Sequence, residues 1–400
     1  MLQSTVVRAR FNVLLLSLCQ ALGSTSVTIV VTMSALVGYA LAEQKALATL
    51  PITLTQLATM MFTVPASLIM KRWGRQKGLM LGSCIGMAGA GLGVQATLMG
   101  SFTLFCMATF LMGAFNIFAW YYRFAAADVA AESWKAQAIS LVVSGGVIAA
   151  IAGPRLASLG KDWWQPDLFA GSLAIIVLLQ LGILVVLQFI QIPPIQVQEN
   201  QGNGRSLLTL VQQPVFAIAI LGSAIGYGIM VLVMTATPLA MQALDYPFDQ
   251  TALVIQWHVL GMFAPSFVTG FLISRFGVVQ IILSGVALNL LCCGINLTGT
   301  SFNHFAMALL ILGVGWNFMF VGSTTLFTEA YHTNEKAKSQ AMHDFCMFAF
   351  VALCSLMSGQ LLYHYSWTVV NQVSLVPVAI ALLSFGWLLF QQQRSVPEVE

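Results

Sequence analysis

Several ionisable side chains lie within otherwise apolar stretches of this sequence, and three of them are candidate functional residues. Arg123, His258 and Asp344 each interrupt a long run of hydrophobic residues. A charged or titratable group is costly inside a hydrocarbon layer, so it usually faces a cavity, a partner or an ion pathway. Because histidine titrates near physiological pH and a carboxylate can carry a proton, His258 and Asp344 are candidate proton-coupling residues. Arg123 is a candidate for binding an anionic or aromatic group.

Each of the three residues also has a structural interpretation that the sequence leaves open. Arg123 can pair with Asp128, or it can extend its charged end to the membrane surface. His258 can be a neutral residue that is bonded to a neighbouring helix. Asp344 can pair with Lys71 and hold two helix ends together. In that last case, reversing both charges should restore activity that either single reversal removes.

Polar and aromatic side chains near these charges suggest a solute-binding cavity. Asn116, Trp120 and Arg123 follow i, i+4, i+7 spacing, so they share one helix face. An amide, a flat ring and a cation on one face suit an aromatic or anionic solute. The other candidate substrate-binding residues, chosen as polar or aromatic groups inside apolar runs, are Gln20, Tyr227, Gln256, Trp316 and Asn317.

The composition identifies an integral membrane protein. The 400-residue chain is 58% hydrophobic and only 7% charged, whereas an average soluble domain is about 25% charged. No basic patch with interleaved aromatic residues occurs, so we expect no nucleic-acid partner. No catalytic motif, metal-ligand spacing or phosphate-binding loop occurs either, so we expect neither an enzyme nor a cofactor.

Twelve apolar runs are long enough to cross a membrane as helices, because a span needs about 20 residues. The longest polar break separates six spans from six. We therefore predict an N-terminal six-helix bundle at 1–191, a cytoplasmic linker at 192–213 and a C-terminal six-helix bundle at 214–400. The predicted spans are 11–40, 46–70, 78–98, 102–127, 137–159, 167–191, 214–242, 248–273, 278–299, 303–331, 338–362 and 367–391.

The distribution of basic residues predicts the orientation in the membrane. If the N-terminus is inside, the inner loops and tails hold twelve Lys and Arg residues, and the outer loops hold only Lys45 and Lys161. Short cytoplasmic loops carry the excess of Lys and Arg in membrane proteins. We therefore expect both termini in the cytoplasm.

A short basic turn after the second span is repeated half a chain later, with Arg72 matching Arg275. Each half also ends its fourth span with an acid, Asp128 in the first half and Glu329 in the second. A charge pair that forms in one conformation only can bias a two-state equilibrium. The candidate gating residues, which can tie helix ends together, are Lys71, Arg72, Arg75, Asp128, Arg275 and Glu329.

The basic turn resembles the loop motif of the major facilitator superfamily, roughly G-x-x-x-D-R-x-G-R-R. Arg72, Gly74 and Arg75 match this motif, whereas Ser67 replaces its first glycine and Lys71 replaces its aspartate. The resemblance covers the whole chain through its twelve spans, its 6+6 repeat and its central loop. The expected fold class is thus all-α and integral to the membrane, with twelve helices in two pseudo-symmetric bundles.

The resemblance implies secondary transport by alternating access around a site near the bilayer midplane. We expect a small organic solute, aromatic or amphipathic in character, that is coupled to H+. We also expect a monomer that spans the bilayer of a bacterial inner (plasma) membrane several times. Export of drug-like compounds and uptake of a metabolite or vitamin, for example a flavin, both stay open. A membrane sensor that reuses the transporter scaffold is the alternative from another class.

Overall fold

The computed structural model describes residues 2–130, 134–165, 169–192 and 204–394. Within these ranges the regular elements are all helical, and no β-strand occurs. Two short 3₁₀ turns, Lys45–Leu47 and Thr333–Glu335, accompany the α-helices. The α-helices are α1 Leu2–Leu41, α2 Leu50–Trp73, α3 Arg75–Leu98, α4 Phe102–Trp120, α5 Tyr122–Val129, α6 Lys135–Val143, α7 Gly145–Gly160, α8 Ala170–Gln188, α9 Leu207–Val211, α10 Pro214–Gln242, α11 Phe248–Phe263, α12 Ser266–Phe276, α13 Val278–Thr298, α14 Phe302–Glu329, α15 Lys336–His364 and α16 Trp367–Arg394.

The predicted twelve-span, all-α membrane fold is confirmed. Eleven helical segments of the described chain are long and apolar enough to cross a membrane. The bent pair α11 and α12 supplies a twelfth span when its two helices are counted together. Helices satisfy every internal backbone group within one segment, which is why they suit a lipid environment.

Three of the predicted spans are interrupted. The fourth span breaks at Tyr121, between α4 and α5, and the fifth breaks at Ser144, between α6 and α7. The eighth span, predicted as one helix over 248–273, is bent by 42° between α11 and α12. Pro265 lies at this bend, and a proline has no N–H to continue the helical hydrogen-bond ladder.

The repeated basic turn has the same backbone conformation in both halves of the chain. Gly74 ends α2 with φ 85° and ψ 156°, and Gly277 ends α12 with φ 92° and ψ 149°. Glycine adopts such positive φ values readily, whereas other residues are strained there. The glycine of the repeat is therefore required by the turn, which directs each chain into the next span.

The described chain divides into two compact units. The first unit comprises residues 1–197 and 241–256, and the second comprises residues 198–240 and 257–400. The middle of the predicted linker 192–213, residues 193–203, lies outside the described residues. The division into bundles at 1–191 and 214–400 stays a prediction.

In the first unit, α2 and α4 approach each other closely. Thr55 Oγ1 on α2 donates a hydrogen bond to the carbonyl oxygen of Thr109 on α4, at 3.1 Å. A Cβ atom at Gly113 would overlap the backbone of Thr55. Small residues allow membrane helices to approach in this way, and hydroxyl groups hydrogen-bond across the contact.

In the second unit, α11 and α14 repeat this contact with a different donor. His258 Nδ1 on α11 lies 2.8 Å from the carbonyl oxygen of Leu309 on α14, so the ring N–H donates to it. A Cβ atom at Gly313 would overlap the carbonyl oxygen of His258. His258 thus takes the place in the second unit that Thr55 takes in the first.

The close approach predicts that alanine is tolerated differently at two glycines inside helices. Gly313→Ala should destabilise the protein by about 1–3 kcal/mol, because the added methyl group overlaps the backbone of α11. Gly294→Ala is the matched control on α13, where nothing lies within 4 Å of the added Cβ. Thermal unfolding in detergent measures both variants. Equal unfolding temperatures for the two would contradict the packing described.

Candidate functional site

Five aromatic side chains from four helices meet in the second unit, and we call them the aromatic cluster. The Trp316 and Phe320 rings on α14 are stacked, with centroids 5.0 Å apart and planes 7° apart. Tyr227 on α10 contacts the Trp316 ring edge-on at 5.6 Å. Phe348 on α15 lies 6.1 Å from Tyr227, and Phe263 at the end of α11 lies 6.4 Å from Trp316. The structure therefore brings together Tyr227 and Trp316, which the sequence singled out separately.

The indole N–H of Trp316 is a buried donor. The Trp316 residue is 6% exposed, and its Nε1 atom has no hydrogen-bond partner among the described residues. Buried tryptophan N–H groups usually find a partner, because an unmet donor in an apolar surrounding is destabilising. The cluster thus combines flat aromatic rings with two hydrogen-bond donors, the indole N–H of Trp316 and the hydroxyl of Tyr227.

Asn317, the neighbour of Trp316, uses its amide within the protein. The Asn317 residue is 1% exposed. Its Nδ2 atom donates to Met262 O at 2.7 Å and to Ser266 Oγ at 2.6 Å, and its Oδ1 atom accepts from Thr269 Oγ1 at 2.6 Å. The predicted contact of Asn317 with a solute would require one of these bonds to break.

In the first unit, the predicted face of Asn116, Trp120 and Arg123 spans the break between α4 and α5. Arg123 Cζ lies 5.0 Å from the centroid of the Trp120 ring and 4.8 Å from that of Phe124. A guanidinium over an aromatic face gains a favourable cation–π interaction. Asn116 Nδ2 lies 3.4 Å from Thr59 Oγ1 on α2. The structure places Arg123 against Trp120, which the helical spacing predicted.

Two further predicted substrate-binding residues are glutamines. Gln20 is half-buried on α1, and its Nε2 atom donates to Ser24 Oγ one turn later at 2.8 Å. Gln256 is half-buried on α11, near the end of the first unit. The surroundings of these two glutamines do not show whether either contacts a solute, so both assignments stay predictions.

The surroundings of His258 match those of a neutral histidine that is bonded to a neighbouring helix. The residue is fully buried, and its Nδ1 atom is engaged with Leu309 O. The other ring atom, Nε2, is buried without a partner among the described residues. A neutral imidazole with the proton on Nδ1 meets these constraints, because the carbonyl can only accept. Its role in proton coupling stays a prediction.

Asp344 is the more accessible of the two predicted proton-coupling residues. Its side chain is 39% exposed, and its Oδ1 atom lies 3.0 Å from Nδ1 of His343, which is itself nearly buried. The His343 ring packs against Phe327 at 4.7 Å between centroids. The structure therefore adds His343 to the site, where the sequence had suggested Asp344 alone. The pairing of Asp344 with Lys71 stays a prediction, because the two residues belong to different units.

The predicted gating residues have unequal surroundings in the two halves. In the first unit, Arg75 Nε donates to Asp128 Oδ2, so the basic turn is tied to the end of α5. Lys71 and Arg72 are exposed at the end of α2. In the second unit, Arg275 lies over the Phe276 ring at 5.5 Å and Glu329 is exposed.

Another ion pair, which the sequence did not reveal, ties Arg205 to Glu335 in the second unit. Arg205 donates to the Glu335 carboxylate from Nε at 2.8 Å, from Nη2 at 2.7 Å and from its backbone N–H at 2.7 Å. The backbone N–H of His332 adds a bond at 3.0 Å, and Glu335 is 1% exposed. These hydrogen bonds, above all those from the Arg205 guanidinium, hold the pKa of Glu335 well below its usual range. The connection between α14 and α15 is thereby fixed to the segment that precedes α9.

A second unpredicted cluster surrounds Phe248, the first residue of α11, within the first unit. Its ring contacts Phe169 at 4.8 Å between centroids, with planes 72° apart. Lys161 Nζ lies 5.6 Å from the Phe248 ring. Ser158 Oγ donates to Asp249 Oδ1 beside it. The first turn of α11 is thus held by the end of α7 and the start of α8.

The family model of the Major Facilitator Superfamily matches residues 13–342 and, in a second match, residues 218–400. The chain belongs to the major facilitator superfamily. It is therefore a multi-pass membrane transporter of small molecules, as the loop motif and the twelve spans predicted.

Full-length relatives within the superfamily are transporters by name. The chain is 39% identical over 377 residues to the riboflavin transporter RfnT of Brucella anthropi, which covers 94% of this chain and 95% of that protein. It is 27% identical over 412 residues to an uncharacterized transporter of the family, YddS of Bacillus subtilis, covering 94% of this chain and 92% of the relative.

Solved structures of the superfamily share the fold at low sequence identity. A D-xylose–proton symporter aligns with a TM-score of 0.72 at 14% identity, over 94% of this chain and 97% of that chain. A nucleoside transporter aligns with a TM-score of 0.71 at 15% identity, over 94% and 99% of the two chains. These likenesses establish the major-facilitator fold.

The Arg205–Glu335 pair gives a prediction with a defined pH dependence. Glu335→Gln should lower the unfolding temperature by several degrees, because it removes the charge that the Arg205 guanidinium faces. A lowered carboxyl pKa stabilises the fold fully above the ordinary value of about 4.3, and this contribution is lost as the pH falls towards the lowered pKa. The difference in unfolding temperature between Glu335→Gln and the unmodified protein should therefore be constant between pH 6 and 8 and should shrink below about pH 4.

Glu329→Gln is the control, because that carboxylate is exposed. It should leave the unfolding temperature unchanged over the same pH range. A Glu335→Gln difference that vanished between pH 6 and 8 would contradict the assignment of a strongly paired carboxylate.

Proposed function

We propose that this protein takes up riboflavin, or a flavin very close to it, by alternating access. The observation that carries the proposal is the 39% identity to a riboflavin transporter over nearly the full length of both chains. The sequence left a flavin-like vitamin open as one of two solute classes. The name of this relative supports the vitamin over a drug-like compound.

The aromatic cluster supplies chemistry that suits such a solute. A flavin has a flat, fused ring system whose edge bears two carbonyl oxygens, and a polyhydroxylated chain. Flat rings bind to aromatic side chains by offset stacking or edge-to-face contact. Trp316 Nε1 is a buried donor without a protein partner among the described residues, so a ring carbonyl would satisfy it. We assign Trp316 and Tyr227 to the flavin ring on this basis.

We infer that transport is coupled to protons through Asp344 and His343. A carboxylate beside a histidine, 3.0 Å apart and partly open to solvent, can take up and release a proton. His258 is less suited, because its Nδ1 proton is committed to Leu309 O in a fully buried contact. Asp344→Asn and His343→Gln roughly keep the size of these two side chains and remove their ability to carry a proton.

Alternating access also requires contacts that form in one state and break in another. The Arg75–Asp128 pair and the cluster around Phe248 are the contacts that we assign to this role. Arg75–Asp128 joins charged groups from two helix ends. Ser158–Asp249 and Lys161–Phe248 join the beginning of α11 to α7 and the residues after it.

The solute assignment predicts growth and uptake in a bacterial strain that cannot make riboflavin. Expression of the protein should allow growth on low riboflavin and saturable uptake of labelled riboflavin. Trp316→Phe keeps a ring but removes the N–H donor, and it should raise the KM about tenfold, the effect of roughly 1.4 kcal/mol. Trp387→Phe, at an exposed position on α16, is the control.

Proton coupling is tested in the same bacterial strain. Asp344→Asn should abolish accumulation against a gradient while exchange of internal for external riboflavin continues. If activity lost in Asp344→Lys returns on adding Lys71→Asp, the pair is a gate and the coupling role is wrong. Absence of uptake by the well-expressed, unmodified protein would refute the riboflavin assignment.

A further inference from the structure

The eighth span is broken where a proline interrupts its hydrogen-bond ladder. The α11 helix ends at Phe263, α12 begins at Ser266, and the two are bent by 42°. Pro265 has no N–H for the carbonyl of Gly261, and its ring also breaks the next bond of the ladder, from Ser266 N–H to Met262 O. Inside a membrane such groups must find another partner, because no water is there to replace it.

One side chain from a neighbouring helix bonds to both sides of this break. Asn317 on α14 donates to the carbonyl oxygen of Met262, the residue before the end of α11, at 2.7 Å. The same Nδ2 group donates to Ser266 Oγ at 2.6 Å, and Oδ1 accepts from Thr269 Oγ1 at 2.6 Å, both on α12. Asn317 and Thr269 are buried, so these bonds are shielded from competing solvent.

The broken geometry is not a general result of proline in these spans. Pro65 lies inside α2, the equivalent span of the first half, and α2 continues unbroken from Leu50 to Trp73. The equivalent asparagine, Asn116, bonds to Thr59 Oγ1 at 3.4 Å and not to a backbone carbonyl. Among the described residues, a helix break that is bridged by an asparagine therefore occurs in the eighth span and not in the equivalent span of the first half.

The break is next to the aromatic cluster. Phe263 is the last residue of α11, and it packs against Trp316, which directly precedes Asn317. The amide that holds Met262 thus also determines where the Phe263 ring stands relative to the indole. A change in the angle between α11 and α12 would move the Phe263 ring relative to the other rings of the aromatic cluster.

We propose that Asn317 is a positioning residue for flavin binding: it bridges the α11–α12 break and so fixes Phe263 against Trp316. It acts through the helix break and does not itself contact the solute. The proposal deepens the proposed function and rests on it for the identity of the solute. The bridging role can be tested without any solute.

The first test is a double-mutant cycle on thermal stability in detergent. Asn317→Ala should lower the unfolding temperature by several degrees, because it leaves the Met262 carbonyl without its donor. Pro265→Ala removes the ring that keeps Ser266 N–H from Met262 O, its partner four residues back in a regular helix, so in that background the loss from Asn317→Ala should fall to less than half. Asn289→Ala is the matched control, since Asn289 is a buried amide on α13 that bonds to Met319 Sδ at 3.0 Å, away from the break. Its loss should be the same in both backgrounds.

The second test measures the bend directly, again without solute. Spin labels at Leu253→Cys and Phe271→Cys occupy exposed positions on α11 and α12. Cys84 and Cys346, which are exposed and half-buried, are replaced by serine beforehand. The distance distribution should be narrow in the parent and broad in Asn317→Ala. An unchanged distribution, or equal stability losses with and without Pro265→Ala, would overturn the bridging role.

The third test separates positioning from general damage to the protein. In the uptake assay, Asn317→Ala should raise the KM for riboflavin about tenfold and change the maximal rate less than about twofold. If the distance distribution broadens in Asn317→Ala while the KM for riboflavin stays unchanged, the link between the helix break and the aromatic cluster is wrong. Absence of riboflavin uptake by the unmodified protein would refute the proposed function and leave the two solute-free tests to decide the bridge.

Discussion

A polar group inside a membrane must find its partner within the protein, and the close helix contacts of this chain meet that requirement. Where α2 meets α4, the Thr55 hydroxyl donates to a carbonyl oxygen of the facing helix. Where α11 meets α14, the His258 ring makes the equivalent bond. Glycines at 113 and 313 bring the helices close enough for these bonds. The same constraint explains why the break at Pro265 is covered by the amide of Asn317.

Much of the architecture could be predicted, because it follows from local sequence. Apolar runs give the spans, and the glycine of the basic turn gives the positive φ that ends α2 and α12. Helical spacing likewise placed Arg123 against Trp120. The partners of Asn317 and Glu335 could not be predicted, because each lies far away in the chain and no spacing rule links them. An asparagine inside an apolar helix has the same pattern whether it faces a solute or a neighbouring helix.

The candidate site combines two kinds of side chain. Flat rings from α10, α11, α14 and α15 form the aromatic cluster, and the indole N–H of Trp316 is its one buried donor without a partner within the described ranges. The titratable pair Asp344 and His343 lies on α15, about one turn before Phe348 of the cluster. This arrangement suits a neutral, flat solute that is held by ring contacts, with Asp344 and His343 as the proposed proton site.

We propose that the aromatic cluster binds a flavin, and a direct binding measurement distinguishes this from other solutes. Purified, unmodified protein in detergent is added stepwise to riboflavin, and the quenching of the riboflavin fluorescence is measured. The titration is repeated with Trp316→Ala and with Trp387→Ala. We expect saturable quenching by the unmodified protein and by Trp387→Ala, and an affinity at least about tenfold weaker for Trp316→Ala. Equal quenching by all three proteins, or none by the unmodified protein when it is folded and monodisperse, would show that the cluster does not bind a flavin.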